Sequence, residues 1–250
     1  MNLEGRLSVI RADSERIALC ALGGELTAPV TACPDWDLRA LVTHVGGIHR
    51  WATIAIDNAE MPVADKIEMP EPDASGSDLG AWMREGAAAL TDLLAVTPLD
   101  ADTWHPFSLE QKAWVWSRRQ AHETMMHRWD AEVAAFGSSE FEPELAADGL
   151  QEFFELALPR VFLREQVAPP QQSLHVHCTD DELAAGAGEW IVWNNDGEYQ
   201  LETVHRKGDA ALRGTAQDVL LVLMGRADRA ALDVRGDPAA AAAWLDLPGL

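Results

Sequence analysis

The spacing of apolar residues changes character after Pro169-Pro170, where strand periods first appear, and that change sets the fold class. Upstream, apolar residues recur at three-, four- and seven-residue steps, the pattern of helices with one buried face. Downstream, Leu174, Val176 and Cys178 alternate with His175 and His177, the period of a half-buried strand. Helices first and strands second predict an α+β protein, with a helical bundle of four or five helices and then a small α/β C-terminal domain. The boundary is expected within residues 166–172, which gives domains over 1–166 and 173–250.

Five helices are predicted in the first part. The first, over residues 3–22, carries Leu7, Ile10, Ile17, Ala18 and Ala21 and stops at Gly23-Gly24. The second, capped by Asp35 or Asp37, shows Leu38, Leu41, Val42, Val45, Ile48, Ala52 and Ala55 on one face and ends near Asn58. Residues 61–78 hold Pro62, Pro70 and Pro72 among acidic and small residues and read as a surface loop. Helices follow over 78–96, over 109–136 with Gly137 as terminator, and over 144–163. In the second part, residues 173–179 read as a strand. The segments 189–193 and 198–205 read as a hairpin turning at Asn194-Asn195-Asp196-Gly197. A short strand over 210–213, a helix over 216–224, a strand over 233–235 and a closing helix capped by Asp237 complete the expectation.

The formal net charge of −22 repels nucleic acid and other polyanions. No apolar run reaches the ~18 residues that span a bilayer. The N-terminal residues show no apolar signal core, and the three cysteines show no CxxC spacing or disulfide framework. A cytoplasmic protein that binds neither nucleic acid nor membrane, as a monomer or small homo-oligomer, is expected.

One pair of residues carries chemistry by its spacing. Glu123 and His127 lie four apart on the fourth predicted helix, about 400° of rotation, so both project from one face. A carboxylate and an imidazole so placed can share a divalent cation, and equally can form a helix-stabilising ion pair. His122, five residues before His127, points about 140° away and cannot easily share that ion. A catalytic zinc site needs a third protein ligand. The second helix offers His44 or His49, of which at most one faces a given site. Between them, Gly46-Gly47 costs roughly 1 kcal/mol per residue of helix stability relative to Ala, which implies close packing or ligand access.

At Cys33-Pro34-Asp35-Trp36-Asp37 through His44-Val45-Gly46-Gly47-Ile48-His49-Arg50-Trp51, and at Glu123-Thr124-Met125-Met126-His127-Arg128-Trp129-Asp130, the chain resembles the mycothiol-dependent maleylpyruvate isomerase-like family of the DinB superfamily. Residues 174–180, 188–190, 214–220 and 234–238 resemble that family's C-terminal domain. The resemblance implies a DinB-like bundle whose divalent metal, zinc being the expected ion, is held by His44, Glu123 and His127. It further implies mycothiol, the low-molecular-weight thiol of actinobacteria, as co-substrate. A metal-bound thiol is deprotonated and nucleophilic. The implied enzyme is an S-transferase or isomerase acting on a small electrophile. A metal-dependent hydrolase using activated water, and a non-catalytic binding or regulatory protein, are the other readings of this scaffold.

Further candidates surround these motifs. Asp130 shares the face of Glu123 and His127, where it can orient a ligand or pair with a surface arginine. Arg50, Arg118 and Arg119 can bind a carboxylate of substrate or thiol, or serve as ordinary ion-pairing residues. Trp51, Trp114, Trp116 and Trp129 can wall a pocket or pack in the core. His175 and His177 share one strand face while Cys178 points to the other, and the three read as structural.

Overall fold

The computed structural model describes residues 1–63 and 66–248. Residues 64 and 65 of the expected loop, and the last two residues of the expected C-terminal domain, lie outside the described residues. The chain divides into two compact units, Met1–Glu140 and Phe141–Leu250.

The first unit is built from α1 (Leu3–Gly23), α2 (Leu38–Asn58), α3 (Gly76–Val96) and α4 (Ala113–Phe136). Helix α1 packs against α3 and α4, and α2 packs against the same two, so α1 and α2 stand across the bundle from each other. Each start has a local cause. The Asn2 side chain accepts from the Gly5 amide, and Asp37 accepts from the Ala40 amide. Ser75 and Asp78 form a reciprocal capping box at α3, each such cap being worth about 1 kcal/mol. Helix α4 begins at Ala113, later than the expected residue 109, because residues 99–112 turn back on themselves. There Asp102 and Lys112 form a bridge, and the Trp114 amide bonds the Leu99 carbonyl. Gly137, at φ 85°, ends it in the left-handed conformation.

Two apolar clusters fill the bundle. Ile17, Leu38, Leu41, Val42, Val45, Leu79 and Met83 form one. Ile10, Ala52, Ala55, Leu90, Leu94 and Trp116 form the other. Gly46 lets α2 and α3 come together, since a Cβ there would run into the Trp82 ring.

The second unit opens with α5 (Pro143–Glu152), which continues through a π turn, Phe153–Ala157, into α6 (Leu158–Glu165). Pro159 has no amide hydrogen to give to the ladder, and the wider turn just before it, closed by Leu158 N–H to the Phe153 carbonyl, accommodates the break. The strands β1 (Leu174–Cys178), β2 (Glu189–Asn195), β3 (Glu198–Glu202), β4 (Ala210–Gly214) and β5 (Asp233–Gly236) form one sheet in the order β3-β2-β1-β4-β5. Only β1 and β4 pair in parallel among these strands. The β2–β3 hairpin turns at Asp196 and Gly197, with φ of 53° and 93°, as the sequence predicts. Helices α7 (Ala216–Leu223) and α8 (Pro238–Leu245) pack against β4.

The division after Glu140 falls earlier than the expected 166–172. The reason is that α5 packs on α7, the Trp190 indole donates to Gln151, and the Tyr199 hydroxyl donates to the Phe154 carbonyl at 2.9 Å. The helical period of residues 143–165 is right, but these turns belong with the sheet rather than with the bundle. The first unit is accordingly a four-helix bundle and the protein is α+β.

Candidate metal centre

His44, in the second turn of α2, meets Glu123 and His127 of α4. Glu123 Oε1 lies 3.3 Å from His44 Nε2 and 3.3 Å from His127 Nε2. The two imidazole centroids are 5.2 Å apart. One ligand atom from each of the three residues lies within 4.8 Å of the others. Two imidazoles and a carboxylate form the donor set of a catalytic zinc site, and donors about 2.0–2.2 Å from a tetrahedral ion sit about 3.3 Å from one another. The residues present therefore fit a divalent transition-metal ion with one coordination position left over.

The helix supplies the pair locally and the tertiary fold selects the third member. His49 is the other imidazole of α2, and it faces elsewhere. It is fully buried and its Nε2 lies 2.9 Å from Thr124 Oγ1. The Thr124 hydroxyl donates to the Gln120 carbonyl, so it accepts from His49. His49 Nδ1 is then left bare, with no hydrogen-bond partner. Burial holds the His49 pKa down at about 3, which keeps the ring neutral.

Neighbouring groups tune the cluster. Burial works against ionisation of Glu123. The hydrogen bonds from His127 and His44, with the charges of His127 and Arg119, outweigh it and hold the carboxyl well below the ordinary carboxylate range. Arg119 donates to Glu123 Oε2 at 3.0 Å. Burial likewise disfavours charge on His127, but its hydrogen bonds to Asp130 and Glu123 prevail and raise its pKa to about 9. His127 Nδ1 donates to Asp130 Oδ2, leaving Nε2 aimed at Glu123. A proton on that nitrogen occupies the place a cation takes.

Of the further sequence candidates, Asp130 and Arg119 join the cluster. Arg50 does not: its guanidinium lies 4.0 Å over the Trp82 ring and donates to the Gly46 and Trp82 carbonyls, so it fastens α2 to α3. Arg118 is half-buried and, five residues before Glu123, points about 140° away from it. Trp51 belongs to the apolar interior, with its ring edge-on to Trp104 and Trp116 at 5.4 Å. Trp129 is half-buried and its indole nitrogen is enclosed without a hydrogen-bond partner. The aromatic wall is instead Trp36, whose ring lies 4.6 Å from that of His44 and 5.9 Å from that of His127. Trp36 sits in the loop before α2, held where Val30 N–H bonds its carbonyl and its own N–H bonds Cys33. Its place in the Cys33–Asp37 motif was the available signal. A cleft of about 530 Å³ opens beside it, lined by Arg39, Thr43, His44, Met69 and Pro70.

The chain's own buried thiols make poor nucleophiles. Burial pushes the pKa values of Cys20 and Cys178 up to about 12.

Comparison with known proteins agrees with this layout. Residues 11–132 match the mycothiol maleylpyruvate isomerase N-terminal domain, and residues 144–243 match the C-terminal domain of the same family. The gap between the two matches brackets the division after Glu140. A solved mycothiol-dependent maleylpyruvate isomerase is similar at 14% identity and a TM-score of 0.56, over 94% of this chain and 93% of that one. A histidine-to-alanine mutant of a mycothiol-dependent maleylpyruvate isomerase is similar at 12% identity and a TM-score of 0.55, over the same shares. No curated protein matches. The two domain matches occur in order along most of the sequence, over a fold shared with those solved structures. The chain belongs to the mycothiol maleylpyruvate isomerase family.

Proposed function

We propose that this chain is a metal-dependent enzyme that takes mycothiol as its thiol co-substrate and directs the sulfur at a small electrophile, as an isomerase or an S-transferase. The observation that supports this most is the meeting of His44, Glu123 and His127 in one cluster, in a chain that carries both domains of the family. Zinc is the ion that suits two imidazoles and a carboxylate. Bound there, it lowers the pKa of a coordinated thiol so that the thiolate prevails at neutral pH.

The protein's residues do the rest. His44, Glu123 and His127 would hold the ion, and as three ligands they would leave it open to a thiol. Asp130 accepts the Nδ1 proton of His127 and so presents Nε2 as the ligand atom. Arg119 offsets the charge of Glu123. Trp36 shields one side of the two imidazoles, and the cleft next to it gives a small molecule access to His44. In an isomerisation the thiolate adds to an unsaturated carbon, the former double bond rotates, and expulsion of the same thiolate restores unsaturation. In a transfer the new carbon–sulfur bond is kept, the π bond that opened is not restored, and the neighbouring carbon takes up a proton from solvent. The electrophile is a small molecule. Among the described residues no helix is long and apolar enough to cross a membrane, and the proposed site is cytoplasmic, where such a thiol stays reduced.

The test is elemental analysis of purified protein, followed by turnover of a panel of electrophiles with and without mycothiol. One equivalent of zinc that depends on His44, and turnover that needs both zinc and mycothiol, are expected. Protein that takes up no zinc through His44, or turnover indifferent to mycothiol, overturns the proposal.

A further inference from the structure

A second gathering of metal-ligating side chains lies within the C-terminal unit. His175 and His177 leave the same face of β1. Glu189 stands opposite His177 in the antiparallel register of β1 and β2, so its side chain rises from that face as well. His205 comes from the segment after β3. The Glu189 carboxylate accepts from all three imidazoles: from His175 Nε2 at 2.6 Å, from His177 Nδ1 at 2.6 Å and from His205 Nδ1 at 2.9 Å. The ring centroids are 5.1–6.0 Å apart. One donor atom from each of the four residues falls within 4.8 Å of the others.

We infer that His175, His177, Glu189 and His205 form a second divalent transition-metal site, with zinc as its ion. A cross-strand pair needs one imidazole for a carboxylate, and here three imidazoles share one. The nitrogens that face Glu189 become ligand atoms when each ring carries its proton on the outward nitrogen instead. Three imidazoles and a carboxylate suit zinc, whereas magnesium and calcium take oxygen donors. Four protein ligands close a tetrahedral shell, as structural zinc sites do. Three of the ligands rise from paired strands, which gathers them on one face of the sheet before the ion arrives. The fourth, His205, has 73% of its side chain exposed, so it offers the ion a route from solvent. The site ties β1, β2 and the segment after β3 together, and it is independent of the cluster in the bundle.

Zinc uptake by full-length, tag-free protein tests the inference. The chain is stripped with a chelator, equilibrated with zinc buffered in the nanomolar range, and analysed for metal. The measurement is made in the His44→Ala background, so that failure of the bundle site and failure of this one are told apart. The expected result is one equivalent retained in His44→Ala, lost when His177→Ala is added. Because His205 is exposed, His205→Ala keeps the fold and is expected to weaken zinc binding by about tenfold or more. It serves if His177→Ala does not fold. A His44→Ala protein that retains no zinc, or His205→Ala with unaltered affinity, overturns the inference.

Discussion

Asp130 Oδ2 accepts the Nδ1 proton of His127 at 3.0 Å, and the Asp130 side chain is wholly shielded from solvent. The carboxylate therefore fixes both the tautomer and the ring orientation of His127. Asp130→Ala is expected to lower zinc affinity at the bundle site about 10- to 100-fold with the helical content retained. Asp130→Asn keeps an acceptor oxygen and is expected to lose less. Competition against a chromogenic chelator, with circular dichroism as control, measures both.

His49 makes the bundle sensitive to acid. Its pKa in the folded chain is about 3, against about 6.5 when unfolded. Between these values the unfolded chain binds the proton and the folded one does not, so the contribution is complete above about pH 6.5 and falls as pH drops toward 3. The loss is on the order of a few kcal/mol across that window. His49→Gln removes this titration while leaving an amide able to reach Thr124. Urea unfolding at pH 7 and pH 4 is expected to show a smaller difference for the variant than for the parent.

Arg128 is the hub of a buried charge network on α4. It donates to Glu132 Oε2 at 2.9 Å, to Ser139 and to the Glu140 carbonyl, and its Nε lies 3.4 Å from Asp13. Burial raises the Asp13 pKa against the pull of Arg128 and Arg16. Arg128→Met removes the guanidinium that Asp13 and Glu132 share, leaving Glu132 only Arg16 and the Ser139 hydroxyl, and is expected to destabilise the protein by about 3–5 kcal/mol. Adding Asp13→Asn and Glu132→Gln is expected to restore part of that loss in chemical denaturation.

The two adjacent glycines of α2 are expected to respond in opposite directions. A methyl at Gly46 overlaps the Trp82 ring. That ring is pinned under Arg50 and by its hydrogen bond to the Glu68 carbonyl. The overlap is expected to cost roughly 1–3 kcal/mol. A methyl at Gly47 meets only Met69, at 3.5 Å, and is expected to stabilise the helix by up to about 1 kcal/mol. Thermal unfolding of Gly46→Ala and Gly47→Ala separates the two.

The sequence by itself determined the elements and the candidate pair: helical and alternating periods mark α1–α4 and β1, Asp37 and Gly137 mark helix ends, and the four-residue step from Glu123 to His127 makes one face. Each of these depends on residues within a turn or two of one another. Tertiary structure decided which faces meet. From spacing, His44 and His49 were equal candidates, and packing of α2 on α4 turned His44 to Glu123 and His49 to Thr124. Trp36, held in the loop before α2, takes the place beside the imidazoles for which Trp51 and Trp129 were candidates, and Trp51 packs in the core. Sheet register carried Glu189 to His175 and His177, a meeting that alternation along β1 alone does not reveal. The contacts of α5 and α6 with the sheet unit moved them out of the bundle, because a helical period specifies that a face is buried and says nothing of what buries it.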